Sequence, residues 1–288
     1  MLSLAPPLLA WYAREARELP WRASDATPWA VLVSEVMLQQ TPVRRVLPAY
    51  EAWLARWPTP AGLAADSPGE AVRMWGRLGY PRRALRLHAA ATQLRDRHGG
   101  ELPTTVADLE ALPGVGSYTA RAVAAFAYRQ RVPVVDTNVR RVIARAVSGR
   151  AAAGPPSTAR DLAAVDALLP ADPEEAARFS VALMELGALV CKAGVPRCAE
   201  CPLAARCAWR LAGCPPHTVP RSKPQGFAGT DRQVRGLLMS VLRDAAGPVG
   251  KPALDLVWAD AAQRERALGS LLADGLAVRA SDGRFALP

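Results

Sequence analysis

The chain has 288 residues, enough for two or three lobes around a sizeable core. Half of them are hydrophobic, yet no run approaches the roughly 18 uninterrupted apolar residues of a membrane span, so no membrane partner is expected. The net charge of +10 and pI near 10 leave two readings. One is an Arg-rich, Ala- and Pro-rich coding style; the other is a polyanion partner drawn to a basic face.

In chain order, nearly every segment reads as helix, so the expected class is all-α. The N-terminus has no basic leader, and Arg14, Glu15, Arg17 and Glu18 follow its short apolar run at once. It reads as a first helix, not a signal peptide, and places the chain in the cytoplasm. Thr27-Pro28, Thr41-Pro42 and Ser67-Pro68 each offer a capping hydroxyl with proline at the first helical position. Glu35 interrupts the apolar stretch WAVLVSEVMLQQ. It is either a glutamate on a solvated stripe or a buried acid whose pKa burial raises. Arginines cluster at 82, 83 and 86 and again at 140, 141 and 145, and Gly99-Gly100 stops the helix that begins near Arg82.

Leu112-Pro113-Gly114-Val115-Gly116 lies between two helical segments. Its glycines allow a tight turn and close approach of another molecule, and amides at the next helix start can face a phosphate. Asp136 follows the apolar VPVV run and opens a helix; it reads as an ordinary N-cap or as a carboxylate held ionised near the helix's positive end. Asp172-Pro173 starts a long helix running to Cys191. His88, His98 and His217 fall in helix, helix end and linker, without ligand partners.

Cys191, Cys198, Cys201 and Cys207 lie within seventeen residues, with six, two and five residues between them. Soft sulfur ligands select zinc or an iron–sulfur cluster, and the wide arms suit a cubane; zinc and a pair of disulfides are the alternatives. Cys214 reads as a spare thiol. Residues 214–230 read as a linker, followed by helices over 231–244, 251–259 and 260–274 and a hairpin about Asp282-Gly283, an order similar to a winged helix.

Taken together, the Leu-Pro-Gly-Val-Gly turn, the aspartate some twenty residues on and the cysteine spacing resemble the helix-hairpin-helix base-excision DNA glycosylases, over residues 8–210. Ser34-Glu35-Val36-Met37-Leu38-Gln39-Gln40-Thr41, the preceding Pro20-Trp21-Arg22, and Trp75-Gly76-Arg77-Leu78-Gly79-Tyr80 resemble the MutY-type adenine branch. That branch's second tyrosine is replaced by Pro81, and Tyr118 stands where lyase members carry a nucleophilic lysine.

The resemblance implies a core of two helical lobes over 1–190 and a [4Fe–4S] loop over 191–213; the small module over 231–288 lies beyond it and is read from its residues alone. It implies a monomer that excises adenine mispaired with 8-oxoguanine or guanine from double-stranded DNA. Glu35 would protonate the base at N7 and Asp136 would stabilise the cationic sugar, with Asn138 and Tyr118 beside them. Gln39, Gln40, Arg82, Arg140 and the Gly114-Val115-Gly116 turn would contact DNA, while Leu78 and Tyr80 wedge into the stack. A thymine or uracil mismatch glycosylase on the same scaffold is the alternative, as is a non-enzymatic iron–sulfur DNA-binding regulator. The 66 residues from Lys223 are too few and too helical for the Nudix-like domain common in the branch, and their nine basic and seven acidic residues hold only +2 of the +10.

Overall fold

A computed structural model describes residues 3–216 and 226–288. The core of the expected linker, with His217, lies outside them. Among the described residues there are fifteen α-helices and one two-stranded antiparallel ladder. The class is all-α, as the pattern predicts. No described helix is long and apolar enough to cross a membrane.

The contacts divide the chain into two compact units that interleave in sequence. Among the described residues the first holds 3–32, 104–111 and 115–216. Its core is built by α1 (Ala5–Glu15), α9 (Thr137–Ala146) and α11 (Pro173–Leu189), through Leu8, Trp11, Val142, Phe179 and Leu183. Asp172 caps α11 by accepting from the Glu175 amide at 2.8 Å, as the Asp-Pro signal predicts.

Glu185, in the middle of α11, is fully buried and holds two guanidiniums. Arg17 donates through Nε and Nη2 at 2.7 Å each and through its amide at 3.0 Å; Arg22 donates at 2.9 Å. Burial raises the carboxyl's pKa, but the two arginines outweigh it and bring it to about 2.

Among the described residues the second unit holds 33–103, 112–114 and 226–288. Trp53 of α3 (Val43–Arg56) is fully buried and meets Trp57 and, at the end of α5 (Pro68–Trp75), Trp75 edge-on with centroids 4.7 and 5.7 Å away, while α6 (Arg82–Arg97) packs against α5. Ser67 caps α5 as expected, its hydroxyl accepting from the Glu70 amide at 3.2 Å. Thr41 does not cap α3. Its hydroxyl donates to the Leu78 carbonyl at 3.2 Å and accepts from Arg83 at 3.0 Å, because a buried guanidinium competes for it.

The C-terminal segment packs within this second unit. It runs α13 (Asp231–Asp244), α14 (Lys251–Asp255), α15 (Ala261–Ala273), then strands β1 (Val278–Arg279) and β2 (Phe285–Ala286), with Val249 bridging Phe285. This is the strand-and-helix order of a winged helix. The hairpin turns at Gly283, whose φ of +83° requires the left-handed region. The expected helix over 251–259 stops at Asp255, which instead accepts from Lys251 and from Arg264 of α15. Two contacts fix the segment to the rest of the unit. Arg73 donates to the Arg243 carbonyl and, at 3.0 Å, to that of Ala245, and a Cβ on Gly69 would collide with the Pro288 carbonyl.

A carboxylate whose pKa is depressed on folding gives stability that is complete above its unfolded pKa and disappears as pH falls through the folded one. The Glu185 contribution should therefore be lost between about pH 4.5 and pH 2. Glu185→Gln should lose ~3–5 kcal/mol at neutral pH, since it leaves two guanidiniums without their counter-charge. In calorimetric scans against pH its thermal midpoint should fall less steeply on the acid side than that of the unmodified chain.

Candidate active site

Glu35 lies on α2 (Pro28–Leu38), an almost wholly apolar helix. It is 5 % exposed, among Val33, Val36 and Met37, which are also buried. The solvated-stripe reading is thereby excluded.

Buried Arg83 fixes the chain that leaves α2. Its Nη1 donates to the carbonyls of Val36, Met37 and Gln39 at 2.8, 3.0 and 2.6 Å. Its Nη2 donates to Thr41 Oγ1 and to the Gly79 carbonyl, both at 3.0 Å. The guanidinium also lies over the rings of Trp75 and Tyr80, at 5.0 and 5.6 Å. One side chain thus caps the C-terminal end of α2 and holds the 76–80 turn beside it. Its burial lowers its pKa to about 10, which leaves it charged at neutral pH. In the sequence, Arg83 is one of a basic cluster; its interior role has no local signal.

The residues that Arg83 positions are Gln39, Gln40, Leu78 and Tyr80. Gln40 and Tyr80 both have left-handed backbone, at φ +56° and +48°. Tyr80 is 57 % exposed whereas Leu78 is 6 % exposed, so of the two expected wedges only Tyr80 is presented. Leu78 is largely buried, with its carbonyl tied to the Thr41 hydroxyl.

In the hairpin, Gly114 has φ +78°, and a Cβ there would press on the Arg86 side chain at 2.6 Å. Gly116 is different: its φ of −100° suits any residue, and a Cβ would meet nothing within 4 Å. It is the N-cap of α8 (Ser117–Phe126) and supplies no side-chain cap. Val115 has its side chain buried and can offer only backbone. Tyr118 is half-buried against Ala122, Ala125 and Val134.

Asp136 is the N-cap of α9, as the capping reading expects. Oδ1 accepts from the Val139 amide at 2.7 Å, and Oδ2 accepts from Asn138 Nδ2 at 2.7 Å. Asn138 Oδ1 accepts from Arg141 at 2.7 Å, and Arg141 also donates to the carbonyls of Cys191 and Gly187 at 2.6 and 2.8 Å. A hydrogen-bonded line thus runs from the carboxylate to the backbone of the first cysteine. Burial pushes the Asp136 carboxyl above its ordinary value; the Val139 and Asn138 bonds and the Arg141 charge oppose that shift. Helix α11 comes this close because of Gly187, where a Cβ would stand 2.7 Å from Asn138 Cβ and 3.1 Å from its backbone.

The arginines at 140–145 do not form the expected basic patch. Arg140 pairs with Asp161 at 2.7 Å and donates to the Gly154 carbonyl at 2.8 Å. Arg145 is buried, donates to Ala151 and Lys192, lies 3.4 Å from Cys191 Sγ and stacks over Trp209 at 4.9 Å.

Cys191, Cys198, Cys201 and Cys207 line one small cavity, closed by Val190, Pro196 and Trp209. All the cysteines are free thiols, so the disulfide alternative fails. Among the described residues no three Cys, His, Asp or Glu side chains are drawn together into a closed metal site. Four thiols spaced around a shared cavity suit a wider sulfur-ligated group. Burial pushes the Cys201 thiol up to about 11, so it ionises near neutral pH only if a bound cation displaces its proton. Cys214 is exposed and does not line this cavity.

Residues 33–165 match the HhH-GPD superfamily of base excision DNA repair proteins. An adenine DNA glycosylase of Mycobacterium tuberculosis is 61 % identical over 282 residues, covering 98 % of this chain and 92 % of its own. The chain belongs to the adenine DNA glycosylase family. The family's member in Mycolicibacterium smegmatis is 56 % identical across 99 % of this chain and 97 % of its own. The human member is 42 % identical over 69 % of this chain and 38 % of its own. Among solved structures, a thermostable thymine-DNA glycosylase superposes with a TM-score of 0.64 at 25 % identity, covering 72 % of this chain and 94 % of that one. An endonuclease III–DNA complex superposes at 0.61 with 24 % identity and the same coverage, which shows the fold.

The Gly187 contact is open to test in this family member. Gly187→Ala should force α11 away from Asn138 and cost ~1–3 kcal/mol as overpacking. The Asp136 carboxyl pKa, followed by NMR, should move in this variant and stay put in Gly194→Ala, where a Cβ meets open space.

Proposed function

We propose that this chain hydrolyses the N-glycosidic bond of adenine mispaired with 8-oxoguanine or guanine in double-stranded DNA. The reading rests chiefly on a carboxylate sealed in an apolar helix, in a chain whose near-full-length relatives carry the adenine glycosylase name. DNA binding is further supported by the base excision repair family match and by neighbours solved with DNA.

In this reading the adenine leaves the stack and Glu35 donates a proton to N7. The N9–C1′ electron pair departs with the base, and the sugar gains oxocarbenium character. Asp136 faces that charge as a carboxylate, oriented by the Val139 amide and Asn138. Water adds its oxygen to C1′ and releases a proton, which balances the one given to adenine. Tyr118 has no amine for imine formation, so the product is an intact abasic strand.

The four cysteines would hold a [4Fe–4S] cluster, which supplies a structural clamp when bound. Its loop carries Lys192 and Arg206 toward the solvent side of the chain, where a phosphate is the expected neighbour. A thymine-excising reading gains some support from the thymine-DNA glycosylase neighbour, but acid assistance at Glu35 favours a purine leaving group.

General acid catalysis typically contributes ~10²–10⁴-fold, so Glu35→Gln should lower single-turnover adenine excision at least that far while still binding mismatched duplex. Asp136→Asn should do likewise. Borohydride should trap little enzyme on DNA, and thymine opposite guanine should stay in place. Near-normal excision by Glu35→Gln would overturn its role as the acid. Anaerobically purified chain should also carry about four irons with broad visible absorbance; stoichiometric zinc in their place would overturn the cluster.

A further inference from the structure

The turn that carries Tyr80 is held at each of its carbonyls from residue 77 to residue 80. Arg45 donates to the Arg77 carbonyl, and Thr41 donates to that of Leu78 at 3.2 Å. The Gly79 carbonyl accepts from the Trp75 indole and from Arg83 Nη2, both at 3.0 Å. The Tyr80 carbonyl accepts from the Arg83 amide at 3.0 Å. Gly76, Gly79 and Tyr80 have φ of +53°, +87° and +48°. Glycine takes such values freely; tyrosine keeps one only where its surroundings over-determine it. A solvent-facing ring on a backbone so restrained is preorganised, because the entropy of ordering it is lost in folding and not on a ligand.

Arg83 is the restraint with the highest cost. It is 7 % exposed, burial lowers its pKa, and Tyr80, not a carboxylate, opposes that shift. Its Nε is buried without a hydrogen-bond partner. Burial of a charge without a counter-ion is expensive, and stability alone favours an apolar side chain there. What the guanidinium provides is a shared anchor. Nη2 holds the Gly79 carbonyl of the turn, while Nη1 holds the carbonyls of Val36, Met37 and Gln39 at the end of α2. Val36 follows Glu35 directly. One rigid plane therefore sets the turn bearing Tyr80 against the helix end bearing Glu35.

We propose that Arg83 is a positioning residue for base extrusion. It holds the Tyr80 ring in the attitude that enters the base stack, and it keeps that ring in register with the acid-bearing helix. It touches neither base nor sugar and acts through Tyr80. The inference rests on the adenine-excision reading for the substrate. Lysine keeps the charge and most of the stem, but a single ammonium cannot hold the turn and the helix end together.

The test uses the full chain and a mismatched duplex with 2-aminopurine beside the target adenine. In stopped flow, the rise of its fluorescence reports unstacking of that step, and single-turnover assays report excision. Arg83→Lys should slow the fluorescence rise by about 10²-fold, the scale of a misplacement of about 1 Å. Tyr80→Ala should slow it as well. The double variant should be no slower than Tyr80→Ala alone, because the arginine acts through the ring; a purely structural arginine would add its own loss.

Thr41→Val removes one acceptor of Arg83 and the restraint on the Leu78 carbonyl with little change of volume. It should slow unstacking in the same way, again without adding to Tyr80→Ala, and it decides the question if Arg83→Lys does not fold. Unchanged unstacking in the folded variant, or additive losses in the double one, would overturn the proposal. A chain whose unstacking depends on Arg83 but which leaves adenine in place would overturn the excision reading and keep the positioning role.

Discussion

One buried guanidinium organises most of what the second unit offers to a ligand. Arg83 takes the last carbonyls of α2, the Thr41 hydroxyl and the Gly79 carbonyl at once. A helix C-terminus carries unsatisfied carbonyls and partial negative charge, and a planar fork of donors answers both. Lysine would not replace it, since an ammonium cannot reach five acceptors in two directions. The arrangement holds two non-glycine residues, Gln40 and Tyr80, in left-handed backbone on the surface. Such strain persists where the surroundings over-determine it, and here those surroundings converge on Arg83.

The first unit uses arginine in the same way around Asp136. Arg141 reaches the carboxylate only through Asn138, yet it also fixes the carbonyls of Gly187 and Cys191. The position of the carboxylate is therefore set by the C-terminal end of α11, the point from which the cysteine loop departs. Removing any one member leaves a buried polar group without its partner, which costs more than the bond itself contributes. Gly187 belongs to this arrangement although it makes no hydrogen bond through a side chain: its value is the space it leaves to Asn138.

Much of this could be read from residue order, because the signals are local. Pro and capping residues mark the starts of α2, α5 and α11, and Gly99-Gly100 ends α6. The Asp-Gly turn marks the hairpin, and cysteine spacing brings four thiols to one cavity. Glu35 was open between a surface stripe and the interior, and only tertiary packing decides it. Thr41 fails as a cap because distant partners, Arg83 and the Leu78 carbonyl, override its local signal. The interleaving of the units is likewise invisible along the chain, since nothing local says that residues 226–288 pack with 33–103.

The charge shows why net values mislead about binding. The chain carries +10, and the segment from Lys223 carries only +2, which read alone makes it a poor electrostatic anchor. Placement reverses that judgement. Its acids Asp231 and Asp255 are paired with Arg266, Lys251 and Arg264, whereas Arg232, Arg235 and Arg243 line an open groove of the second unit. At the other extreme, Arg140, Arg141 and Arg145 form the densest basic run of the first unit, yet they brace α9 and the cysteine loop. An arginine whose donors are taken up by protein carbonyls contributes little that is directional to a phosphate, while one left on an open face contributes both charge and hydrogen bonds. The count of basic residues thus overstates the surface that could bind a polyanion in one place and understates it in another. What determines it is which arginines the fold has already used.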